Sequence, residues 1–455
     1  MKTCNSKIKA PAFLGAAFVL LIALMFIACP QRAKPKPKHT ITFSVDGTGG
    51  MLKATAGGSA INSGNEVEEG KTVTFVATPA VGYKVKEWKL GGNAVNGTNQ
   101  SYALAVTAAI NVTVSFEPKK ALLTLAAGKN TVKVKAKTAD GSAIKVEGCT
   151  VTELTSDVET TLTAIGTKVT LIGDIIELNC SGEETPGGNR PLIALDVSGC
   201  TALQKLDCRF NNITELDVQG LTELQELYCN SNKITVLDVH GLTKLEKLYC
   251  NVNRLTALNV SGCTALKELY CYSNKELTAL NVQGLTELQK LYCDSNKITA
   301  LDVSGLTELQ ELYCNSNKIP ELNVQGLTKL QQLKCGGNQL ASLNVQGLTK
   351  LQQLNCANNQ LATLNVQGCT ALKSLTCYKN KLNADVFTKL FNDLPTRKAS
   401  DGAEAILYIK KTGVPEGNCK DFTQPESLKK AFEDARDVKH WKMQKVNGAS
   451  VPSDI

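Results

Sequence analysis

The stretch LTELQELYCNSNKI occupies Leu221–Ile234 and recurs unchanged at Leu306–Ile319. Aligned on its cysteine, the chain gives Cys208, Cys229, Cys250, Cys271, Cys293, Cys314, Cys335, Cys356 and Cys377. The step is 21 residues throughout, except for 22 between Cys271 and Cys293, where Glu276 is the extra residue. Cys180 begins the series, and the insertion SGEETPG lengthens its step to 28. An asparagine follows each cysteine of the regular run by three residues: Asn211, Asn232, Asn253, Asn274, Asn296, Asn317, Asn338, Asn359 and Asn380. In the unit LQELYCNSNKITVLDVHGLTK, the apolar positions are Leu224, Leu227, Cys229, Ile234, Leu237, Val239 and Leu242. So short and regular a period predicts a solenoid, each unit making one turn.

Energetics explains the repetition. Burying seven apolar side chains yields about 10–20 kcal/mol per unit. Ordering 21 residues costs about 20–40 kcal/mol of backbone entropy. One unit cannot fold alone; stacked units share their faces and need caps at both ends. LYC reads as the short strand of each turn, sending Leu and Cys inward and Tyr outward. The asparagine is expected to bond backbone groups at the following bend.

The cysteines raise a question of chemistry. Stacked Cβ atoms on neighbouring parallel strands sit about 4.8 Å apart, wider than the ~3.8 Å a disulfide prefers. Exported proteins usually pair their thiols, so the two arguments pull apart. Metal sites need clustered ligands, whereas each turn supplies one Cys, and His39, His240 and His440 form no cluster. The expectation is a structural ladder of buried free thiols at Cys180, Cys208, Cys229, Cys250, Cys271, Cys293, Cys314, Cys335, Cys356 and Cys377, packing as small hydrophobes. No metal or cofactor is expected. Cys200, Cys263 and Cys369 stand where other units have Leu, and Cys149 and Cys419 lie outside the ladder.

The position before each ladder cysteine faces the concave side of the solenoid, the face expected to bind the protein ligand. It reads Asp207, Tyr228, Tyr249, Tyr270, Tyr292, Tyr313, Lys334, Asn355 and Thr376, with Tyr272 beside the row. Five consecutive tyrosines make a stripe about 20 Å long at ~4.8 Å per strand. Tyrosine offers apolar contact plus a hydroxyl, the profile of a binding hot spot. Stacked tyrosines also stabilise one another by about 0.2–1 kcal/mol per pair, and recent duplication would copy them unselected. Both readings stay open. The flanking position alternates Lys205, Glu226, Lys247, Glu268, Lys290 and Glu311, which suits a mixed surface rather than a polyanion site.

The pattern L-x-x-L-x-C-x-x-N-x-I/L over residues 175–382 resembles the cysteine-ladder leucine-rich repeats of the internalin type. It is also similar to repeats of spirochaete surface lipoproteins. The resemblance implies a bacterial surface protein that binds host or partner-cell proteins. TVTFVATPAVGYKVKEW and the closing INVTVSFEP, within residues 40–118, resemble the divergent B-repeat modules of such proteins. These act as spacers, and Trp88 is expected in the core of this small β domain. Residues 119–174 read as a second β unit shielding the open edge of the first repeat.

The N-terminus predicts export. A basic segment precedes the apolar run PAFLGAAFVLLIALMFIA, which reads as a signal peptide over residues 1–28. FIAC resembles a bacterial lipobox, which implies lipidation at Cys29. PQRAKPKPKH continues to residue 39 as an extended tether. Residues 1–39 hold seven basic residues and no acid, out of a net charge of +8. The folded body is therefore nearly neutral, without the basic face of a nucleic-acid binder.

After Leu382 the repeat gives way. NADVFTKLFNDLP and PESLKKAFEDARDVKHWKM predict helices and AEAILYI a strand, so residues 383–455 read as an α/β cap. No nucleophile-base pair or phosphate loop stands out; DGTGG at Asp46–Gly50 is a turn with no P-loop sequence after it. No catalytic residue is assigned. The expected fold is mixed and mostly β: a curved solenoid of about ten repeats behind small β domains. The expected function is adhesin-like binding of a protein ligand by a monomer, lipid-anchored in the outer membrane and surface exposed. The alternatives are a periplasmic or envelope scaffold with an internal partner and, further off, an enzyme with its site in the C-terminal part.

Overall fold

The structure, a computed structural model, describes residues 34–447 and 452–455. The signal segment and Cys29 lie outside the described residues. Among these residues no helix is long and apolar enough to cross a membrane.

The N-terminal domain is two facing sheets. In one, Lys38–Asp46 lies between Asn65–Glu68 and Ile110–Pro118, followed by Tyr83–Leu90 and Asn93–Val95. The other holds Ser59–Ile61, Gly50–Ala56, Thr72–Pro79 and Ser101–Ala105. Alternation along these strands sends Ile41, Phe75, Trp88, Val112 and Val114 into a closed core. Trp88 is fully buried, and its Nε1–H donates to the Asn99 carbonyl at 2.6 Å. The turn after Asp46 needs its glycines: a Cβ at Gly50 would stand 2.5 Å from the Phe116 ring.

The repeats build one long parallel sheet. Its rungs are Ile175–Asn179, Lys205–Asp207, Glu226–Tyr228, Lys247–Tyr249, Glu268–Tyr270, Lys290–Tyr292, Glu311–Tyr313, Gln332–Lys334, Gln353–Asn355 and Ser374–Thr376. Register is fixed by identical positions, so Leu227 faces Leu248 and Tyr228 faces Tyr249. Thr131–Thr138 runs antiparallel beside Ile175–Asn179. It pairs the edge that the first rung would otherwise leave open.

Each ladder asparagine joins three backbone groups of two repeats. The Asn232 Nδ2 donates to the carbonyls of Cys208 and Cys229 at 3.0 and 3.1 Å, and its Oδ1 accepts from the Ile213 N–H at 3.0 Å. The residue before it, Ser231, turns the chain at φ 58°, and Ser273, Ser295 and Ser316 do the same in their repeats. These buried carbonyls would be costly unpaired, so the asparagine is a structural requirement of the bend.

The sheet continues past the repeats. Helix α1 (Ala384–Asp393) starts at Asn383, whose side chain accepts from the Val386 N–H. The chain then returns as Glu404–Ile409, parallel to Ser374–Thr376. Helix α2 (Glu426–Glu433) leads to Lys442–Val446, parallel again, and Pro452–Asp454 closes the edge antiparallel. Phe387, Phe391, Phe422 and Phe432 pack ring against ring beneath the two helices.

Candidate functional site

The tyrosines project from one row of the parallel sheet, each held between an inward Leu and an inward Cys of its own strand. Tyr249 and Tyr270 stack with centroids 4.2 Å apart, Tyr270 and Tyr292 at 4.4 Å, and Tyr292 and Tyr313 at 4.2 Å, all within 10° of parallel. Tyr228 meets Tyr249 edge-on at 5.0 Å. Both ends of the row carry cations. Lys205 and Arg209 lie over the Tyr228 ring, and the Lys334 ammonium sits 3.9 Å from the Tyr313 centroid. Ring faces are thus taken up by neighbours and by cations, and the row offers solvent a band of phenol edges.

Three of the five hydroxyls are also engaged. Tyr249 donates to Glu268, Tyr292 to Glu311 and Tyr313 to Gln332, each on the next rung. Burial in the stack pushes Tyr228, Tyr249, Tyr270 and Tyr292 above the usual phenol range, so these four hydroxyls keep their protons well into alkali. Tyr272 lies two residues along from Tyr270, half-buried and outside the stack.

Beside the tyrosines runs the charge ladder, longer than the repeats alone suggested. Lys137 faces Glu177, which faces Lys205 and then Glu226, Lys247, Glu268, Lys290 and Glu311 across successive rungs. Lys205 and Lys247 hold the Glu226 carboxylate at 2.8 and 3.0 Å. Burial alone would raise its pKa; hydrogen bonds from Lys205, Lys247 and Tyr228 outweigh that and hold it at about 2. At the N-terminal end, Asp207 is 3% exposed and raised by burial, with Arg209 opposing at 2.9 Å.

The ladder cysteines Cys180, Cys208, Cys229, Cys250, Cys271, Cys293, Cys314, Cys335, Cys356 and Cys377 are all buried and free. Burial raises every one of these thiols, Cys229 and Cys335 to about 12. Cys263 and Cys369 do more than fill Leu sites: each thiol donates to a carbonyl of the preceding repeat, Val239 or Val345, at 3.1 Å. Cys149 is buried beside Ala164, and Cys419 is the least buried free thiol among the described residues. Within the same residues no three His, Cys, Asp or Glu side chains converge as metal ligands.

Sequence reasoning missed three features. The cation caps at Arg209 and Lys334 depend on side-chain reach across rungs. The Lys137–Glu177 rung belongs to a segment without the repeat. Asn418 completes the asparagine ladder from the cap, accepting from the Leu382 N–H at 3.0 Å and donating to the Cys377 and Leu407 carbonyls at 2.9 Å. Only the run NC, reversed from the CxxN of the repeats, hinted at it.

Family models agree with this architecture. A divergent InlB B-repeat domain matches residues 51–120. Leucine-rich repeats match residues 201–241, and Zer-1-like leucine-rich repeats match 246–380. Leucine-rich repeats thus fill the middle of the chain, behind a domain of the divergent B-repeat kind. The functional domain of InlJ from Listeria monocytogenes, which includes a cysteine ladder, is similar at 30% identity and TM-score 0.40, over 54% of this chain and 56% of that one. The chain thus spans little more than half of the InlJ domain's length. An internalin, InlF, of the same organism shares 23% identity, covering 46% and 84%, at TM-score 0.30. A leucine-rich-repeat protein of Leptospira interrogans shares 19%, covering 54% and 79%, at TM-score 0.30. No curated protein matches the chain.

Proposed function

We propose that this leucine-rich-repeat chain is an exported binding protein, lipidated at Cys29, whose tyrosine row docks a protein on a host or neighbouring cell. The observation that carries this reading is the row itself: Tyr228, Tyr249, Tyr270, Tyr292 and Tyr313, preordered by stacking and capped by Lys334 and Arg209. A preordered aromatic surface loses little side-chain entropy on binding. Its ring faces are occupied, which disfavours a sugar that must stack on an open face. Its edges, hydroxyls and balanced Lys/Glu border fit a mixed protein surface.

Two measurements test this. Intact cells are treated with protease and probed with an antibody to the repeats; rapid loss without lysis is expected, and protection until lysis would favour an envelope scaffold instead. Beads coated with the protein are then offered to host cells and to neighbouring bacteria. Adhesion should fall at least tenfold for the double change Tyr270→Ser and Tyr292→Ser. Unchanged adhesion would remove the row from the binding site.

A further inference from the structure

We propose that the N-terminal domain is a mechanical clamp, carrying tension between the envelope anchor and the solenoid. The presence of tension rests on the surface-anchored reading; the clamp is a property of the fold and is testable without it.

The first and last strands of the domain, Lys38–Asp46 and Ile110–Pro118, are parallel neighbours. Their register runs from Ile41 opposite Ile110 to Asp46 opposite Ser115. The chain enters at the Lys38 end and leaves at the Pro118 end, so its two attachments lie at opposite ends of one strand pair. Pulling on the chain slides one strand along the other. The evenly spaced bonds of a parallel pair are then loaded together and yield together, whereas a pair pulled apart from one end loses its bonds singly.

The surroundings oppose sliding. Neither strand is an edge: Asn65–Glu68 pairs with the first and Tyr83–Leu90 with the last. The Thr42 hydroxyl lies within hydrogen-bond distance of the Ile110 carbonyl and Asn111 Oδ1, at 3.1 and 3.2 Å, and bonds across the pair. Ile41, Val112 and Val114 are fully buried, and sliding would drag all three through the core. Phe43 meets Phe75 edge-on at 5.7 Å.

The exit has no slack. Lys119 alone separates Pro118 from the next strand, Lys120–Leu125. Its N–H donates to the Gly82 carbonyl at 2.6 Å, its carbonyl accepts from the Gly173 N–H at 3.1 Å, and its ammonium pairs with Asp174 at 2.8 Å. Lys120–Leu125 is itself flanked on both sides, by Lys168–Ile172 and Leu192–Asp196. Load therefore passes into the first repeats along a strand held in the middle of a sheet.

Single-molecule force spectroscopy on the chain from residue 30 to 455 tests this by changing only the point of attachment. One handle is always at the C-terminus. The other is placed at the N-terminus, or on an azide-bearing residue replacing exposed Thr48, beyond the first strand on the side where the chain exits. From the N-terminus the domain should give way in one event releasing about 24 nm, the extended length at ~3.5 Å per residue less the ~4 nm the folded strand pair already spans. From position 48 the strand pair is out of shear, and the force should fall at least twofold. Equal forces from both points, or stepwise loss from the N-terminus, would overturn the clamp. A purely periplasmic protein would show in the protease experiment and leave this result untouched.

Discussion

Tyr270 and Tyr292 stack 4.4 Å apart and 4° from parallel, although theirs is the one repeat that is a residue too long. The extra residue, Glu276, is taken up in the bend and pairs with Lys297 at 2.7 Å. One ladder bond changes to accommodate it: Asn296 Oδ1 accepts from the Asn274 N–H at 2.7 Å, where other repeats use the residue two further on. The strand register, and with it the tyrosine row, is undisturbed.

Stacking should be measurable locally. Tyr270 has a parallel ring on each side, at about 0.5–1.5 kcal/mol per aromatic pair. Tyr270→Ala is expected to cost ~1–3 kcal/mol, read as faster hydrogen exchange in Lys247–Tyr249 and Lys290–Tyr292. Tyr270→Phe should stay within ~0.5 kcal/mol. An equal loss in both variants would mean that the hydroxyl, not the stack, holds the row.

The cap asparagine should matter as much as one in the repeats. Asn418→Ala removes a buried acceptor and two buried donor bonds and strands their three backbone partners, a cost of about 3 kcal/mol or more at ~1 kcal/mol or above each. Exchange should quicken over residues 377–418 and remain unchanged over 208–335, because each repeat feels only its neighbours. Uniform destabilisation would contradict that locality.

Thiol labelling separates the two kinds of cysteine. With iodoacetamide at pH 8, Cys419 should react in the native protein, while Cys229, Cys335 and the other ladder thiols react only in denaturant. Mass spectrometry of tryptic peptides reads this directly. A ladder peptide labelled natively, or found joined to its neighbour by a disulfide, would refute a ladder of inert thiols.

Alkali should loosen the ladder. The thiols of Cys229 and Cys335 rise from 9.0 to about 12 on folding. A group raised in the folded state contributes its full stability below the unfolded value and loses it as pH climbs through the folded one. Stability should thus be level up to pH 9 and fall between 9 and about 12, by ~1.4 kcal/mol per pH unit per thiol. Glu226 behaves in the opposite sense, its contribution fading as pH drops from 4.5 through about 2. Melting curves from pH 2 to 11 check both limbs.

Much of this fold was legible because the period is so strict. Leu, Cys and Asn at fixed spacing announced the inward positions, the rung order and the bend. Asn383 and Pro395 marked α1 closely, since caps and stops are local signals. What could not be read depended on contacts distant in sequence. Asn418 follows Asn380 by 38 residues rather than 21, because a helix and a strand intervene before the chain returns to the ladder. Whether tyrosine faces were open or occupied depends on rotamers that stack across rungs, which no spacing encodes. The placement of Lys334 over Tyr313 is of the same kind: its letter merely ended the tyrosine run, and its contact closed it.

The verbatim copies at Leu221 and Leu306 stand 85 residues apart, a whole number of repeats even with the long one counted. An in-frame recombination between them would excise four rungs and rejoin Cys229 to a sequence already matched to its neighbour. The asparagine ladder and both ends would survive such an excision. The row would shrink from five tyrosines to one. Dropping or gaining whole rungs would thus change the length of the tyrosine row with no new side chain to be invented.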